Sequence, residues 1–143
     1  MILDKDQLIT FAKEYKEVEA ARGQVEFTEP HYFRKSLGII DNSVEVVLVC
    51  FADLQSTSVH DHTGSSCAVV CLAGQLTEHI YFRNTQGDLA TYGMRQINVG
   101  DIHYVDSKLF HQVANMSCKG SVLLNFYSPP LTPLPEKTVA EAK

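Results

Sequence analysis

The stretch His60-Asp61-His62-Thr63-Gly64-Ser65-Ser66-Cys67 places two histidines one residue apart. On a β-strand such residues project from the same face, so both imidazoles can bind one metal ion. His111 is a candidate third ligand farther along the chain, and three neutral nitrogen donors leave coordination positions open, as a catalytic site requires. For the His-x-His pattern taken alone, the alternative is a pair of surface histidines in a strand or turn.

Length, charge and hydropathy exclude several classes of protein. The 143 residues suffice for one sizeable core, so we expect a single domain over residues 1–143. The formal net charge is −5 and lysines and arginines do not cluster, which argues against a nucleic-acid partner. The longest apolar run, residues 46–52, is too short for a bilayer, and no apolar signal segment opens the chain. We therefore expect a cytoplasmic protein with no membrane partner and with reduced cysteines.

Periodicity predicts one N-terminal helix followed by many short strands. Apolar residues at helical spacing predict the helix over residues 4–22, which Gly23 can end. Short runs rich in β-branched and aromatic residues follow, separated by turn-forming segments, a pattern typical of a β-barrel or a two-sheet sandwich. The predicted strands cover residues 32–37, 44–51, 57–62, 68–73, 76–83, 93–99, 102–105, 111–116 and 122–127. The Pro-rich tail, residues 128–143, is expected to cross the surface in extended form and fray.

Two histidine motifs resemble the metal-binding motifs of the cupin superfamily, whose small β-barrels hold a metal in the barrel mouth. The first motif covers residues 60–74, and Cys67 stands where most cupins have glutamate. The second covers residues 100–115 and contains His111. The resemblance implies a mainly β fold, a cupin-type β-barrel (double-stranded β-helix or jelly roll) over residues 30–127 with one N-terminal helix.

With cysteine in place of that glutamate, the motif resembles that of the cysteine dioxygenases, which form the thiol dioxygenase branch of the cupins. Residues 58–67 follow the pattern S-x-H-D-H-T-x-S-x-C, and residues 72–78 follow L-x-G-x-L-x-E. Two more matches, Tyr32-Phe33-Arg34 and Tyr127-Ser128-Pro129-Pro130, stand in the expected order at distant places. The similarity covers roughly residues 30 to 130.

The resemblance implies that His60, His62 and His111 bind ferrous iron, Fe(2+), without a protein carboxylate. A small thiol would supply the missing negative charge as a thiolate, and both atoms of O2 would pass to its sulfur. Arg34 would hold a substrate carboxylate through two parallel hydrogen bonds, although a lone arginine can also be a surface residue. Relatives that act on 3-mercaptopropionate typically have glutamine there, so cysteine is the expected substrate. Tyr32, two residues earlier, would support the pocket or simply pack in the core.

The resemblance also implies two catalytic residues, Tyr127 and Cys67. The phenol would hydrogen-bond to bound oxygen or to the substrate carboxylate, and in part of the family the matching cysteine and tyrosine become joined by a thioether bond. The alternative for Cys67 is a buried free thiol. Where the best known members alternate S-x-H-x-Y, this chain has Leu123 and Asn125. Asn125 is expected to take part in substrate binding and can donate to the phenol, but it cannot relay a proton. If the chain is a weak cysteine dioxygenase, Asn125→His is expected to sharpen cysteine oxidation.

Two other functions stay open at this point. The first is a dioxygenase of another small thiol, such as 3-mercaptopropionate or cysteamine. The second is a non-catalytic cupin that binds a metal or a small carboxylate, using Arg34. A cupin isomerase or other oxygenase would usually keep glutamate as a fourth ligand, and Cys67 counts against it. The expected partners are a small thiol and O2, and the expected state is a monomer or a weak homodimer.

The remaining histidines have smaller expected roles. His31 and His79 are expected to be surface residues. His103 is expected to be either a solvent-facing residue or a hydrogen-bond donor beside the metal ligands.

Overall fold

A computed structural model of the chain describes residues 2–131, in which two helices are followed by eight strands. The helices are α1 (Lys5–Glu14) and α2 (Val18–Arg22). The strands are β1 (Phe33–Ile40), β2 (Val44–Phe51), β3 (Ser66–Ala73), β4 (Gln75–Arg83), β5 (Leu89–Asn98), β6 (Ile102–Val105), β7 (Phe110–Ala114) and β8 (Ser121–Ser128). No helix within this part of the chain is long and apolar enough to cross a bilayer. Most of the predicted Pro-rich tail lies outside the described residues.

The helix predicted over residues 4–22 is broken in two. Asp4 caps α1 through a reciprocal pair of hydrogen bonds with Gln7. Tyr15 then leaves the helical conformation, with a ψ of 125°, although the apolar spacing continues past it. The Tyr15 ring meets the ring of Phe126 on β8 edge-on, with centroids 5.2 Å apart. We attribute the break to this tertiary contact, because packing routinely overrides helix propensity.

A five-stranded antiparallel sheet, in the order β1-β2-β8-β3-β6, is covered on both faces. Every residue of β2 and β8 is buried. One face of this large sheet, including Val47, Val49 and Leu123, joins one core cluster. The alternate residues, including Leu48 and Phe126, join a second cluster with the helices. Burial on both faces explains why these strands are nearly continuous apolar runs in the sequence.

A three-stranded antiparallel sheet, in the order β5-β4-β7, faces the large sheet. Its inward residues Leu76, Ile97 and Val113 belong to the same core cluster as the inner face of the large sheet. The prediction of a mainly β protein is therefore confirmed. The three motif histidines (His60, His62 and His111) lie together with Arg34 and Tyr127 between the two sheets.

The prediction of a strand over residues 57–62 is wrong. Thr57 N donates to Val113 O at 2.9 Å, whereas His60 and His111 exchange backbone hydrogen bonds of 3.0 and 2.8 Å. Residues 58 and 59 thus lie opposite a single residue of β7, Gln112, and this bulge interrupts the ladder. A turn with positive φ at Thr63 (52°) and Gly64 (89°) then leads into β3. Strand alternation therefore does not explain the convergence of the two motif histidines.

Candidate metal and substrate site

Three histidine side chains converge on one point between the sheets. His60 and His62 come from the bulged segment 57–62, and His111 comes from β7. His111 Nε2 lies 3.2 Å from His60 Nε2 and 3.1 Å from His62 Nε2. A metal about 2.1 Å from each nitrogen, with ligands roughly 90–110° apart, would separate them by about 3.0–3.4 Å. The spacing therefore fits one shared metal ion, and among the described residues this is the histidine group that can hold one.

The far side of two of these rings is fixed by the protein. His60 Nδ1 lies 2.7 Å from the carbonyl oxygen of Ser58, and His111 Nδ1 lies 2.7 Å from Glu78 Oε2. Because these acceptors require a proton on Nδ1, each Nε2 keeps its lone pair for a metal. Burial, and then the neighbouring His111, lower the pKa of His60 to about 3. His60 is therefore a neutral ligand at physiological pH.

Behind His111 lies a carboxylate to which the sequence analysis gave no role. Glu78 is fully buried on β4, and its second oxygen accepts a hydrogen bond from Arg95 Nε on β5. Arg95 Nη2 in turn donates to the carbonyl oxygen of Tyr104 at 3.0 Å. Burial raises the pKa of Glu78, but the His111 hydrogen bond and the Arg95 charge outweigh it, so the pKa is lowered overall. Glu78 is thus an ionised group that orients His111. The available signal was a glutamate at an inward position of a strand, because charges are rarely buried without a partner.

A cavity that is partly open to solvent lies beside the histidines, and its free space with the open mouth included is about 320 Å³. Tyr32, Arg34, Asn125 and Tyr127 all line it, so the structure brings together every predicted substrate-binding residue. The Tyr32 ring stacks on Phe51 with centroids 5.0 Å apart. Arg34 Nη2 is buried and has no hydrogen-bond partner within residues 2–131. A buried cationic donor in this position suits an anionic group of a ligand.

Cys67 and Tyr127 face each other across β3 and β8 and are both buried. Burial, and then the charge of Glu78, raise the pKa of the Cys67 thiol, while a hydrogen bond with Tyr127 acts in the opposite direction. The thiol is therefore protonated at neutral pH. The Tyr127 ring lies edge-on to His62, with centroids 5.0 Å apart.

Asn125, which stands where the motif of the best known cysteine dioxygenases has histidine, donates from Nδ2 to the Tyr127 hydroxyl at 2.9 Å. This is the hydrogen bond expected from the sequence. Among the remaining histidines, His31 is exposed and His79 is half-buried. His103 Nε2 lies 3.6 Å from a carboxylate oxygen of Asp101.

Comparison with known proteins agrees with the motifs. The family model described as "Cysteine dioxygenase type I" matches residues 3–136. Cysteine dioxygenase type 1 of Danio rerio is 28% identical over 109 residues, covering 73% of this chain and 54% of that protein. The Homo sapiens protein of the same name is 25% identical over 108 residues, with the same two shares. The chain thus spans about half the length of these curated relatives.

Solved structures confirm the fold class. A Klebsiella pneumoniae protein with a double-stranded β-helix domain superimposes with a TM-score of 0.62 at 15% identity, covering 76% of this chain and 81% of that one. This likeness concerns the fold alone, and it confirms the predicted cupin-type double-stranded β-helix. The family match extends over nearly the whole chain and includes all three histidines. The chain belongs to the cysteine dioxygenase type I family.

Proposed function

We propose that the protein is a non-haem iron(II)-dependent thiol dioxygenase that oxidises cysteine to cysteine sulfinic acid. In this reaction a thiol and one O2 give a sulfinic acid, so both oxygen atoms end on sulfur and no other reductant is needed. The observation that carries the proposal is the convergence of three histidine Nε2 atoms beside the buried Nη2 atom of Arg34. Family membership supports the same reaction class.

His60, His62 and His111 would hold the iron, and imidazole nitrogens suit this metal. Bound iron(II) would supply an electrophilic, redox-active centre for the thiolate and O2. The protein's part is to present three imidazole ligands and to hold the buried Glu78 carboxylate against the outer nitrogen of His111. Because the ligands themselves carry no charge, the site favours an anionic substrate group.

Arg34 would fix the substrate carboxylate and thereby set the direction in which the thiol points. Its buried Nη2 atom has no partner in residues 2–131, so a carboxylate would remove an unfavourable buried donor. This favours cysteine and 3-mercaptopropionate over cysteamine, which carries no carboxylate. Tyr32 would form the wall beside it, held by its stack on Phe51.

Tyr127 and Cys67 would act next to the iron. Asn125 holds the phenol oxygen by donating a hydrogen bond to it, and the phenol would donate its own proton to substrate or oxygen. The register that sets Cys67 opposite Tyr127 supports a thioether bond between sulfur and ring. Its formation removes two electrons and two protons, which O2 would accept. Peptide mapping after repeated turnover should reveal the linked pair, and two unlinked peptides would contradict it.

The decisive experiment is O2 uptake by the iron(II)-loaded protein with cysteine, 3-mercaptopropionate and cysteamine in parallel. Each product is checked by mass for two added oxygen atoms. Cysteine sulfinate that is lost in Arg34→Gln would support the proposal, and sulfinate from another thiol would reassign the substrate.

A second candidate function, a non-catalytic metal-binding or small-molecule-binding cupin, is favoured by one observation. Leu123 and Asn125 replace the family's serine and histidine, so the chain lacks that proton relay. Iron binding without O2 uptake from any of the three thiols would favour this function. The cytoplasmic location and the monomeric or weakly dimeric state stay predictions.

A further inference from the structure

Two buried side-chain atoms in the cavity lack a hydrogen-bond partner within residues 2–131, and they are of opposite kinds. One is the donor Arg34 Nη2 and the other is the acceptor Asn125 Oδ1. Leaving a polar atom buried without a partner is unfavourable, and native structures rarely do so unless a water or ligand completes it. A ligand that fills this cavity should therefore both accept and donate hydrogen bonds.

The surroundings of Asn125 explain why its oxygen is left over. The amide nitrogen is used, because Nδ2 donates to the Tyr127 hydroxyl at 2.9 Å. On the two neighbouring strands Asn125 is paired with Val47 and Val69, whose side chains cannot donate a hydrogen bond. The side chain is nine-tenths buried, so bulk solvent is not an adequate partner. Asn125 thus presents an acceptor that the strands around it do not satisfy.

Arg34 and Asn125 line the cavity from two strands of the large sheet that are not neighbours. Arg34 is on β1, Asn125 is on β8, and β2 runs between them. Two strand spacings correspond to about 10 Å of backbone separation. A small ligand whose carboxylate meets Arg34 can therefore present a different polar group to Asn125.

We propose that Asn125 is a specificity-determining residue whose amide oxygen accepts a hydrogen bond from an N–H of the thiol substrate. This inference rests on the proposed function and sharpens its substrate class to thiols that carry both a carboxylate and an amine. Cysteine meets both requirements. 3-Mercaptopropionate meets Arg34 but leaves the Asn125 oxygen unpaired, and a site that loses a required hydrogen bond discriminates strongly.

The test compares the two thiols in the iron(II)-loaded wild type, Asn125→Leu, Asn125→Asp and Tyr127→Phe. Asn125→Leu removes the acceptor, and Asn125→Asp keeps an oxygen at the same place. Tyr127→Phe keeps the ring and removes only its hydroxyl group. For each protein, kcat/KM is measured from sulfinate formation, and Kd is measured by calorimetry without O2. Thermal unfolding reports whether each variant folds, and Asn125→Val replaces Asn125→Leu where the larger side chain does not fit.

We expect the preference for cysteine, as the ratio of kcat/KM values, to fall about tenfold in Asn125→Leu and to survive in Asn125→Asp. Tyr127→Phe should slow both thiols alike and leave the ratio unchanged. An unchanged ratio in Asn125→Leu, or an equal fall in Asn125→Asp, overturns the inference.

The two proposals fail separately. If the wild type oxidises neither thiol but binds cysteine more tightly, and Asn125→Leu removes that preference, the dioxygenase proposal fails and the role of Asn125 stands. If cysteine is oxidised and the preference for it is the same in wild type and Asn125→Leu by both measurements, the dioxygenase proposal stands and the proposed role of Asn125 fails.

Discussion

The site has a metal-facing half, with His60, His62 and His111, and a substrate-facing half, with Arg34, Asn125 and Tyr127, and the two halves differ in what holds their polar atoms. In the metal-facing half, His60 Nδ1 meets a backbone carbonyl, His111 Nδ1 meets Glu78, and Glu78 also meets an arginine. In the substrate-facing half, Arg34 Nη2 and Asn125 Oδ1 have no partner within residues 2–131. The fold therefore orients two of the three metal ligands, His60 and His111, whereas the two substrate-facing atoms are left for a ligand to satisfy.

The two halves also come from different backbone. The substrate-facing residues Arg34, Asn125 and Tyr127 belong to the large sheet, whose central strands are buried on both faces. The metal-facing residues come from the bulged segment 57–62 and from the small sheet. Substitutions in the first half should change which ligand is chosen, and substitutions in the second should change metal affinity.

The largest effect is expected from removing a ligand in the metal-facing half. His62→Ala leaves two imidazoles, so iron affinity should fall by more than about 100-fold, beyond what loss of an outer partner costs. Iron content after dialysis is the measurement, with O2 uptake as a second readout. His31→Ala, which changes an exposed histidine, is the matched control. Full iron content in His62→Ala would show that the three histidines do not form the metal site.

A smaller effect is expected at Glu78, which contacts the metal ligand His111 and not the metal itself. Glu78→Gln keeps the shape of the side chain but removes the charge that faces His111, so iron affinity should fall about 10- to 100-fold. Competition with a chelator of known affinity measures the change. Glu14→Gln, on the exposed side of α1, is the control. Unaltered affinity in Glu78→Gln would mean that the Glu78–His111 contact does not tune the metal site.

Glu78 also shows where sequence analysis reaches its limit. The spacing of the histidine motifs identified the three converging histidines, because those residues carry their chemistry in a short pattern. The pairing of Glu78 with Arg95 depends on the register between β4 and β5, which sets these residues directly opposite each other. That register is fixed by the whole hairpin, including its bulge after Ile80, and no local pattern contains it.

The same distinction holds for the fold. The bounds of β2 and β6 were predicted correctly, because an apolar run and a run flanked by turn residues are local signals. The break in the helix at Tyr15 and the bulge within residues 57–62 were not predicted. Both arise from contacts with distant strands, at Phe126 and along β7, so residues near in sequence do not encode them.

In the substrate-facing half, Arg34→Gln should change the choice of thiol and leave the metal in place. Loss of a charged hydrogen-bond donor should raise KM for cysteine about 10- to 100-fold, and cysteamine, which lacks a carboxylate, should be unaffected. Steady-state kinetics and iron content are the measurements. Lys35→Gln, the exposed next residue on β1, is the control. Equal losses for both thiols, or loss of iron, would place Arg34 outside carboxylate recognition.

The smallest effect concerns the stability of the metal-free protein, and it follows from ligands that the fold keeps neutral. The pKa of His60 falls from 6.5 to about 3 on folding, so below pH 6.5 the unfolded chain binds a proton that the folded chain does not. Stability must then decrease as the pH falls from 6.5 toward 3, by about 1.4 kcal/mol between pH 7.5 and 5.5 from this group. Urea unfolding of the wild type and His60→Gln at both values measures it as a difference, with His31→Gln as the control. The same pH dependence in wild type and His60→Gln would show that His60 accepts its proton in the folded state, and the metal-facing half would then be no better prepared than the substrate-facing half.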